Sequence, residues 1–88
     1  MVKFVHVKKK YGLSKEQYYQ MIEDQNSKCA ICGVTFDDND RKSSTCVDHD
    51  HKTGKVRALL CHNCNIGIAK FSESSIILQS AIDYLASF

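Results

Sequence analysis

The stretch TCVDHDHKTGKVRALLCHNCN, residues 45–65, concentrates metal-binding side chain types in one short piece of an 88-residue chain. Two aspartates alternate with two histidines at 48–51, and a C-x-x-C pair follows at 61–64. A second C-x-x-C pair lies far upstream, at 29–32. The two cysteine pairs predict one metal site, and the acid–histidine cluster between them indicates a second site with a different role.

Length and composition limit the class of protein. With 88 residues, the chain is expected to form a single domain over 1–88, and a domain this small is marginal without a metal or another cross-link. No apolar run approaches the roughly 20 residues that span a bilayer. The N-terminal MVKFVHVKKKYG lacks the apolar segment of a secretory signal. We therefore expect a cytoplasmic protein with no membrane partner.

Cysteine usage agrees with a reducing compartment, where C-x-x-C pairs bind metal more often than they form disulfides. Cys29, Cys32, Cys61 and Cys64 would suit a tetrahedral Zn²⁺ site of four thiolates, which contributes folding free energy directly. The spacer of 28 residues between the pairs is longer than the roughly 15–20 of a compact zinc ribbon, so it is expected to be a structural unit itself. Redox-active or unliganded thiols are the alternatives. Cys46 is interpreted as a small buried residue.

Basic residues cluster in two places, although the formal net charge is only +2. The first cluster is a basic N-terminal arm at 1–10, with Lys3, Lys8, Lys9 and Lys10. The second follows the acid–histidine cluster and contains Lys52, Lys55 and Arg57. Local positive charge suits contacts with nucleic-acid phosphates, so DNA is the expected partner and the second cluster its candidate contact. A solvated, lysine-rich surface is the alternative.

Periodicity and capping signals predict an α+β domain with helices on both sides of a hairpin. LSKEQYYQMIEDQNSKC is typical of a helix with Ser14 as N-cap and Gln17 completing a capping box. TCVDHDH and KVRALL predict a hairpin that turns at Gly54, and CHNCNIGIAKF predicts the start of a second helix. SESSIILQSAIDYLASF is amphipathic, and we interpret its apolar stripe as core or dimer surface; the stripe contains Ile77, Leu78, Ala81, Ile82 and Leu85.

The acid–histidine cluster fits metal-assisted hydrolysis of a phosphodiester. Mg²⁺ takes oxygen ligands and keeps several waters, and Asp48 with the amide oxygen of Asn65 would hold it loosely. A neutral histidine beside them could take a proton from water, since an ordinary histidine has a pKa of about 6.5. Neighbours in a regular strand point to opposite faces, so Asp48 and His49 must lie at a strand end or bulge. The alternatives are a charged surface loop and a second zinc site on His49 and His51.

Four sequence segments together resemble a known family. KCAIC, DHDH, GKVRALLCHNCN and AIDYL are similar, in that order, to segments of the HNH endonucleases, specifically the recombination endonuclease VII group common in bacteriophages. The similarity runs from Tyr11 to Leu85. It implies a zinc-stapled ββα-metal fold, also called a His-Me finger. In that fold a hairpin and a helix surround one divalent cation, Mg²⁺ or Mn²⁺, beside a structural zinc.

The resemblance also implies roles for individual residues. Asp48 resembles the metal-binding aspartate, His49 the histidine that activates water, and Asn65 the asparagine that completes the metal site. His51 resembles a further histidine that assists at the phosphate or the metal. The implied products carry 5′-phosphate and 3′-hydroxyl ends, and some members of the family cut branched DNA.

Two departures from the family pattern stand out. Ala58 occupies a position where the family often has glycine, and Ile68 one where the resolvase has an assisting acidic residue. The leading hypothesis is a metal-dependent DNA endonuclease of the nicking type, acting in the host cytoplasm if it is encoded by a phage. The alternatives are a Holliday-junction or branched-DNA resolvase acting as a homodimer and, in another class, a zinc-ordered DNA-binding module without catalysis.

Overall fold

A computed structural model of the protein describes residues 12–88, so the predicted basic arm at 1–10 lies outside the described residues. In chain order the elements are helix α1 (Lys15–Asp24), a 3-10 turn (Arg41–Ser43), strands β1 (Thr45–His49) and β2 (Val56–Cys61), and helices α2 (His62–Lys70) and α3 (Ser75–Ala86). The two strands form an antiparallel sheet, which confirms the predicted α+β class. Over residues 12–88, no helix has the length and apolar character that crossing a bilayer requires.

Helix α1 begins with the predicted capping box. The Ser14 hydroxyl accepts from the backbone N–H of Gln17 at 3.0 Å, and the Gln17 side chain accepts from the N–H of Ser14 at 2.8 Å. The helix ends at two left-handed residues, Asn26 and Ser27, with φ of 54° and 58°. The N–H of Ser27 returns to the carbonyl of Ile22 at 2.9 Å, which satisfies one of the open acceptors of the last turn.

The hairpin carries a small apolar cluster on each face. Val47 and Leu59 are paired across the strands and pack against Tyr18 of α1, which is 1% exposed. Leu60, the next residue, packs on the other side with Cys29, Cys61 and Cys64 and with Ile68 of α2. Successive strand residues point to opposite faces, so α1 covers one face of the hairpin and α2 the other.

A side-chain amide ties α1 to the hairpin. The Gln25 amide nitrogen donates to the carbonyls of Leu59 and Lys28, both at 2.9 Å, and its oxygen accepts from the Leu59 N–H at 3.0 Å. Gln25 therefore pairs with the backbone of β2 much as a neighbouring strand would, which fixes the end of α1 against the sheet.

Helix α3 differs from the expectation in one respect. Ser74 caps it, accepting from the N–H of Ile77 at 3.1 Å, and the amphipathic pattern is present. However, none of its residues is buried, and the exposed fractions of Ile77, Ile82 and Leu85 are 45%, 57% and 72%. The interpretation of this stripe as core is therefore wrong for most of its residues, and the interpretation as a dimer surface stays a prediction.

Candidate active site

Four thiols form a candidate zinc site that joins the two C-x-x-C turns. The sulfur atoms of Cys29, Cys32, Cys61 and Cys64 all lie within 4.8 Å of one another, and those of Cys32 and Cys61 are 3.8 Å apart. A tetrahedral zinc with Zn–S bonds of about 2.3 Å separates its sulfurs by about 3.8 Å. The arrangement therefore fits a structural Zn²⁺, as the spacing predicts.

The first C-x-x-C turn is shaped for thiolate chemistry. Its backbone closes through a hydrogen bond from the Gly33 N–H to the Cys29 carbonyl at 3.1 Å, with Gly33 at a left-handed φ of 78°. The Ile31 N–H donates to the Cys29 sulfur at 3.4 Å. Burial raises the pKa of Cys29, but backbone N–H groups, including those of Cys61 and Ile31, outweigh it and lower the pKa to about 6.

The second C-x-x-C turn starts α2. Cys61 is the N-cap residue of the helix, and its sulfur accepts from the Cys64 N–H at 3.4 Å. Burial raises the pKa of both thiols, so a divalent cation would be needed to hold them as thiolates at neutral pH. A thiolate at a helix N-terminus also interacts favourably with the helix dipole. The candidate zinc site therefore includes the N-cap and the first turn of α2.

Asp48 and His49 lie where the strand pairing becomes irregular. Asp48 pairs with Ala58 but His49 pairs with Val56, so Arg57 is the extra residue of a bulge at the end of β1. This confirms the prediction that the two residues lie at a strand end or bulge. Asp48 is 7% exposed, and strand alternation directs it to the face opposite Val47, which is the face covered by α2.

The carboxylate of Asp48 is held by the bulged arginine. The Nε atom of Arg57 donates to Oδ2 of Asp48 at 2.6 Å, and its Nη2 atom donates to Oδ1 at 2.9 Å. Nη2 also donates to Oε1 of Glu73 at 2.7 Å. Hydrogen bonds with Asp48, and then with Glu73, raise the pKa of Arg57 further above its usual range, so its charge is permanent.

The two histidines lie side by side. The ring centroids of His49 and His51 are 4.8 Å apart, with an interplanar angle of 54°. His51 is mostly exposed, and its Nε2 atom lies 2.7 Å from Oε2 of Glu73. Glu73 therefore contacts both His51 and Arg57. Sequence reasoning missed this glutamate because nothing in its spacing relates the connection between α2 and α3 to the hairpin.

Asp50, the second aspartate of the cluster, stabilises the hairpin turn. Its carboxylate accepts from the backbone N–H groups of Lys52 and Thr53, at 2.7 and 3.1 Å, and these bonds lower its pKa. Its carbonyl accepts from the Gly54 N–H at 2.7 Å, and Gly54 has the left-handed φ of 77° that the turn needs. The predicted Gly54 turn is confirmed, and Asp50 builds it.

Asn65 is the fourth residue of α2, partly buried, on a helix that contacts both strands. It is therefore on the side of the hairpin to which Asp48 points. That the two residues share a cation remains a prediction. Within residues 12–88, the four thiols are the one group of three or more histidine, cysteine or carboxylate ligands close enough for a metal. A second zinc on His49 and His51 would thus lack a third such ligand.

Two of the three predicted DNA contacts, Lys52 and Arg57, line a cavity of about 540 Å³ together with His51 and Glu73. Lys52 and Lys55 are exposed in the hairpin turn, whereas the Arg57 side chain is 39% exposed and paired with two carboxylates. The roles of all three in binding DNA stay predictions. The cavity is lined by Asp50, His51, Lys52, Arg57, Ala69, Ser72, Glu73 and Ser74.

The two departures from the family pattern have clear positions. Ala58 faces Asp48 across the hairpin. Ile68 packs against the apolar cluster beside the thiols, so position 68 contributes to that packing. The carboxylate that reaches His51 from this part of the chain belongs to Glu73, whose own N–H bonds to the Ile68 carbonyl at 2.8 Å.

The amino-acid sequence is similar to those of known proteins. The family model for recombination endonuclease VII matches residues 5–87. Gene 59 protein of Mycobacterium phage D29 is 45% identical over 76 residues, and Gene 59 protein of Mycobacterium phage L5 is 41% identical over 76 residues. Each alignment covers 85% of this chain and 44% of the phage protein, so the chain spans less than half the length of these relatives. No solved structure matches the chain. On the strength of the family match, the chain belongs to the recombination endonuclease VII family.

Proposed function

We propose that the chain is a divalent-metal-dependent DNA endonuclease that nicks one strand by phosphodiester hydrolysis. In this proposal His49 activates water, Asp48 and Asn65 hold Mg²⁺ or Mn²⁺, and His51 assists at the phosphate. Zn²⁺ on the four cysteines is structural. The observation that supports the proposal is the bulge in the strand pairing between Asp48 and His49, where the Asp48 carboxylate is buried and the regular alternation of the strand is interrupted.

The chemistry requires one proton acceptor and one source of positive charge. His49 takes a proton from water, and the water oxygen attacks phosphorus while the bond from phosphorus to the 3′ oxygen breaks. The 3′ oxygen leaves and takes a proton from solvent water, which gives 5′-phosphate and 3′-hydroxyl ends. A cation at Asp48 and Asn65 would neutralise the charge that develops on the phosphate.

Asp48 can fit this role even though Arg57 is bound to it. Each carboxylate oxygen has two lone pairs, and the hydrogen bonds from Arg57 use one on each oxygen. The low exposure of Asp48 also limits competition from bulk water for the remaining positions. The permanent positive charge of Arg57 repels a cation on the same carboxylate, so that cation would be held weakly. Weak binding agrees with the loose, partly hydrated coordination of Mg²⁺.

A plasmid-nicking assay tests the proposal. Zinc-loaded protein is incubated with supercoiled plasmid and Mg²⁺ or Mn²⁺, and His49→Ala is compared with the wild type and with His62→Ala, a control histidine outside the cluster. We expect nicking by the wild type and the control, and its loss in His49→Ala while DNA binding persists. Absence of cleavage by folded wild-type protein with either metal would instead leave a zinc-ordered DNA-binding module.

The exposed apolar stripe of α3 supports a second candidate, a branched-DNA resolvase acting as a homodimer. Each active site cuts one strand, so paired cuts across a four-way junction need two subunits. Measuring the mass of the protein with and without such a junction separates the two candidates. A dimer on the junction with paired cuts favours the resolvase, and a monomer that nicks ordinary duplex favours the nicking enzyme.

A further inference from the structure

A chain of hydrogen-bonded side chains links the buried aspartate of β1 to the exposed histidine of the hairpin turn. It runs from Asp48 to Arg57, from Arg57 to Glu73, and from Glu73 to His51. We propose that Glu73 is a positioning residue of the cleavage site, which orients the His51 imidazole while Arg57 anchors the carboxylate. This inference rests on the proposed nuclease function.

The geometry assigns each oxygen of Glu73 to a different partner. Oε1 accepts from Nη2 of Arg57 at 2.7 Å, and Oε2 lies 2.7 Å from Nε2 of His51. The Glu73 side chain is 19% exposed, whereas that of His51 is 66% exposed. A mostly exposed imidazole has few packing contacts to fix its rotamer, so the bond to the better-buried carboxylate decides how the ring is held.

The backbone conformation at Glu73 directs its carboxylate toward the hairpin. Ser72 and Glu73 have φ of 56° and 53°, a left-handed conformation that costs free energy in any residue with a Cβ. The turn is held by hydrogen bonds from the Ser72 N–H to the Ala69 carbonyl at 3.0 Å and from the Glu73 N–H to the Ile68 carbonyl at 2.8 Å. A glycine would satisfy this turn with less strain, but it could not reach the hairpin.

The contact also selects one form of the imidazole. A carboxylate accepts and does not donate, so His51 must carry a proton on Nε2 to bond with Glu73. In the neutral ring this leaves Nδ1 as the acceptor. The ring is then fixed 4.8 Å from His49, in one tautomer and one orientation, which is how a positioning carboxylate raises the efficiency of a histidine that acts at a phosphate.

An ordinary surface ion pair is the competing explanation, and it makes a different prediction. Such pairs contribute little to stability and nothing to the rate of a reaction. We therefore compare Glu73→Gln, which keeps the size of the side chain and removes its charge, with Glu23→Gln, a control on the exposed side of α1. In Glu73→Gln the Arg57 guanidinium can bond only to the amide oxygen, so the amide NH₂ turns toward His51. An NH₂ donor at Nε2 favours the tautomer that carries its proton on Nδ1.

The experiment combines nicking kinetics with NMR of the histidine rings in zinc-loaded protein. For Glu73→Gln we expect kcat to fall about 10- to 100-fold with KM changed less than about 3-fold, and the His51 ring to leave the Nε2–H tautomer. The control should match the wild type, and thermal unfolding confirms that both variants are folded. Wild-type kcat in Glu73→Gln, or an unchanged His51 tautomer, would overturn the inference. If the wild type itself does not nick DNA, the proposed function fails, and the ring tautomers still test the contact between Glu73 and His51.

Discussion

Arg57 donates two parallel hydrogen bonds to Asp48, at 2.6 and 2.9 Å, across the bulge that ends the hairpin's regular pairing. From the sequence, Arg57 was expected to face DNA and Asp48 a cation. The structure joins the two side chains directly, so the residue expected to bind phosphate lies against the residue expected to bind the metal. The bulge is the cause, because it places the extra residue of β2 beside the carboxylate.

Replacing Arg57 by alanine should destabilise the domain. Asp48 is 7% exposed and would lose both hydrogen bonds to its carboxylate, so we expect the free energy of unfolding to fall by about 1–3 kcal/mol. Arg57→Lys keeps the charge without the planar fork and should lie between the wild type and alanine. Urea unfolding at saturating zinc provides the measurement. An Arg57→Ala protein as stable as the wild type would show that the pair has no structural role.

Replacing Gln25 by alanine should also cost stability, but for a different reason. The substitution removes hydrogen bonds to the Leu59 backbone and leaves the N–H of a fully buried residue unsatisfied, which costs about 1–3 kcal/mol. Gln20→Ala is the matched control, since the Gln20 side chain donates to the exposed Asp24, and this variant should lose less than about 0.5 kcal/mol. Equal urea midpoints for the two variants would contradict this role of Gln25.

Replacing Cys29 or Cys64 by serine should unfold the domain. Binding of structural zinc is worth about 10–16 kcal/mol in small zinc domains, which exceeds the stability of most small domains without metal. Cys46→Ser is the control, because Cys46 lies outside the thiol cluster and its substitution should leave the zinc content unchanged. Circular dichroism and zinc content of the purified proteins test this together. A wild-type circular dichroism spectrum in both ligand variants would refute a structural role for the zinc.

DNA affinity should depend steeply on salt if the hairpin turn contacts phosphates. The slope of log affinity against log salt concentration is negative, and each lost phosphate contact makes it shallower by about 1. Lys52→Ala and Lys55→Ala should each show this change. Lys42, which lines a different cavity beside the thiols, provides the control. Fluorescence anisotropy with a labelled duplex over a range of salt concentrations gives the slopes. A flat salt dependence in the wild type would exclude this mode of binding.

Local signals explain what could be predicted from the sequence. The capping box of Ser14 and Gln17, the turn at Gly54 and the convergence of the two C-x-x-C pairs each depend on residue types at short, fixed spacings. The bulge at Asp48 could also be inferred, since the proposed chemistry needs two neighbouring strand residues on one side.

Long-range pairings explain what could not be predicted. The contact between His51 and Glu73 requires a turn between α2 and α3 in which two residues with side chains adopt a left-handed conformation, and nothing in the sequence there marks it. The Gln25 bond to Leu59 is similar, because a glutamine on a helix face is ordinarily read as polar surface. The stripe on α3 was ambiguous for the same reason, since its pattern shows amphipathicity but not what covers the helix.

The most direct test of the proposed site is a crystal structure of the zinc-loaded protein soaked in Mn²⁺, with anomalous scattering used to locate both metals. We expect zinc among the four cysteine sulfurs at about 2.3 Å, and manganese bound by an oxygen of Asp48 and the amide oxygen of Asn65, with His49 facing the same cavity. Manganese bound elsewhere, or Asn65 turned away from Asp48, would contradict the proposed cation site.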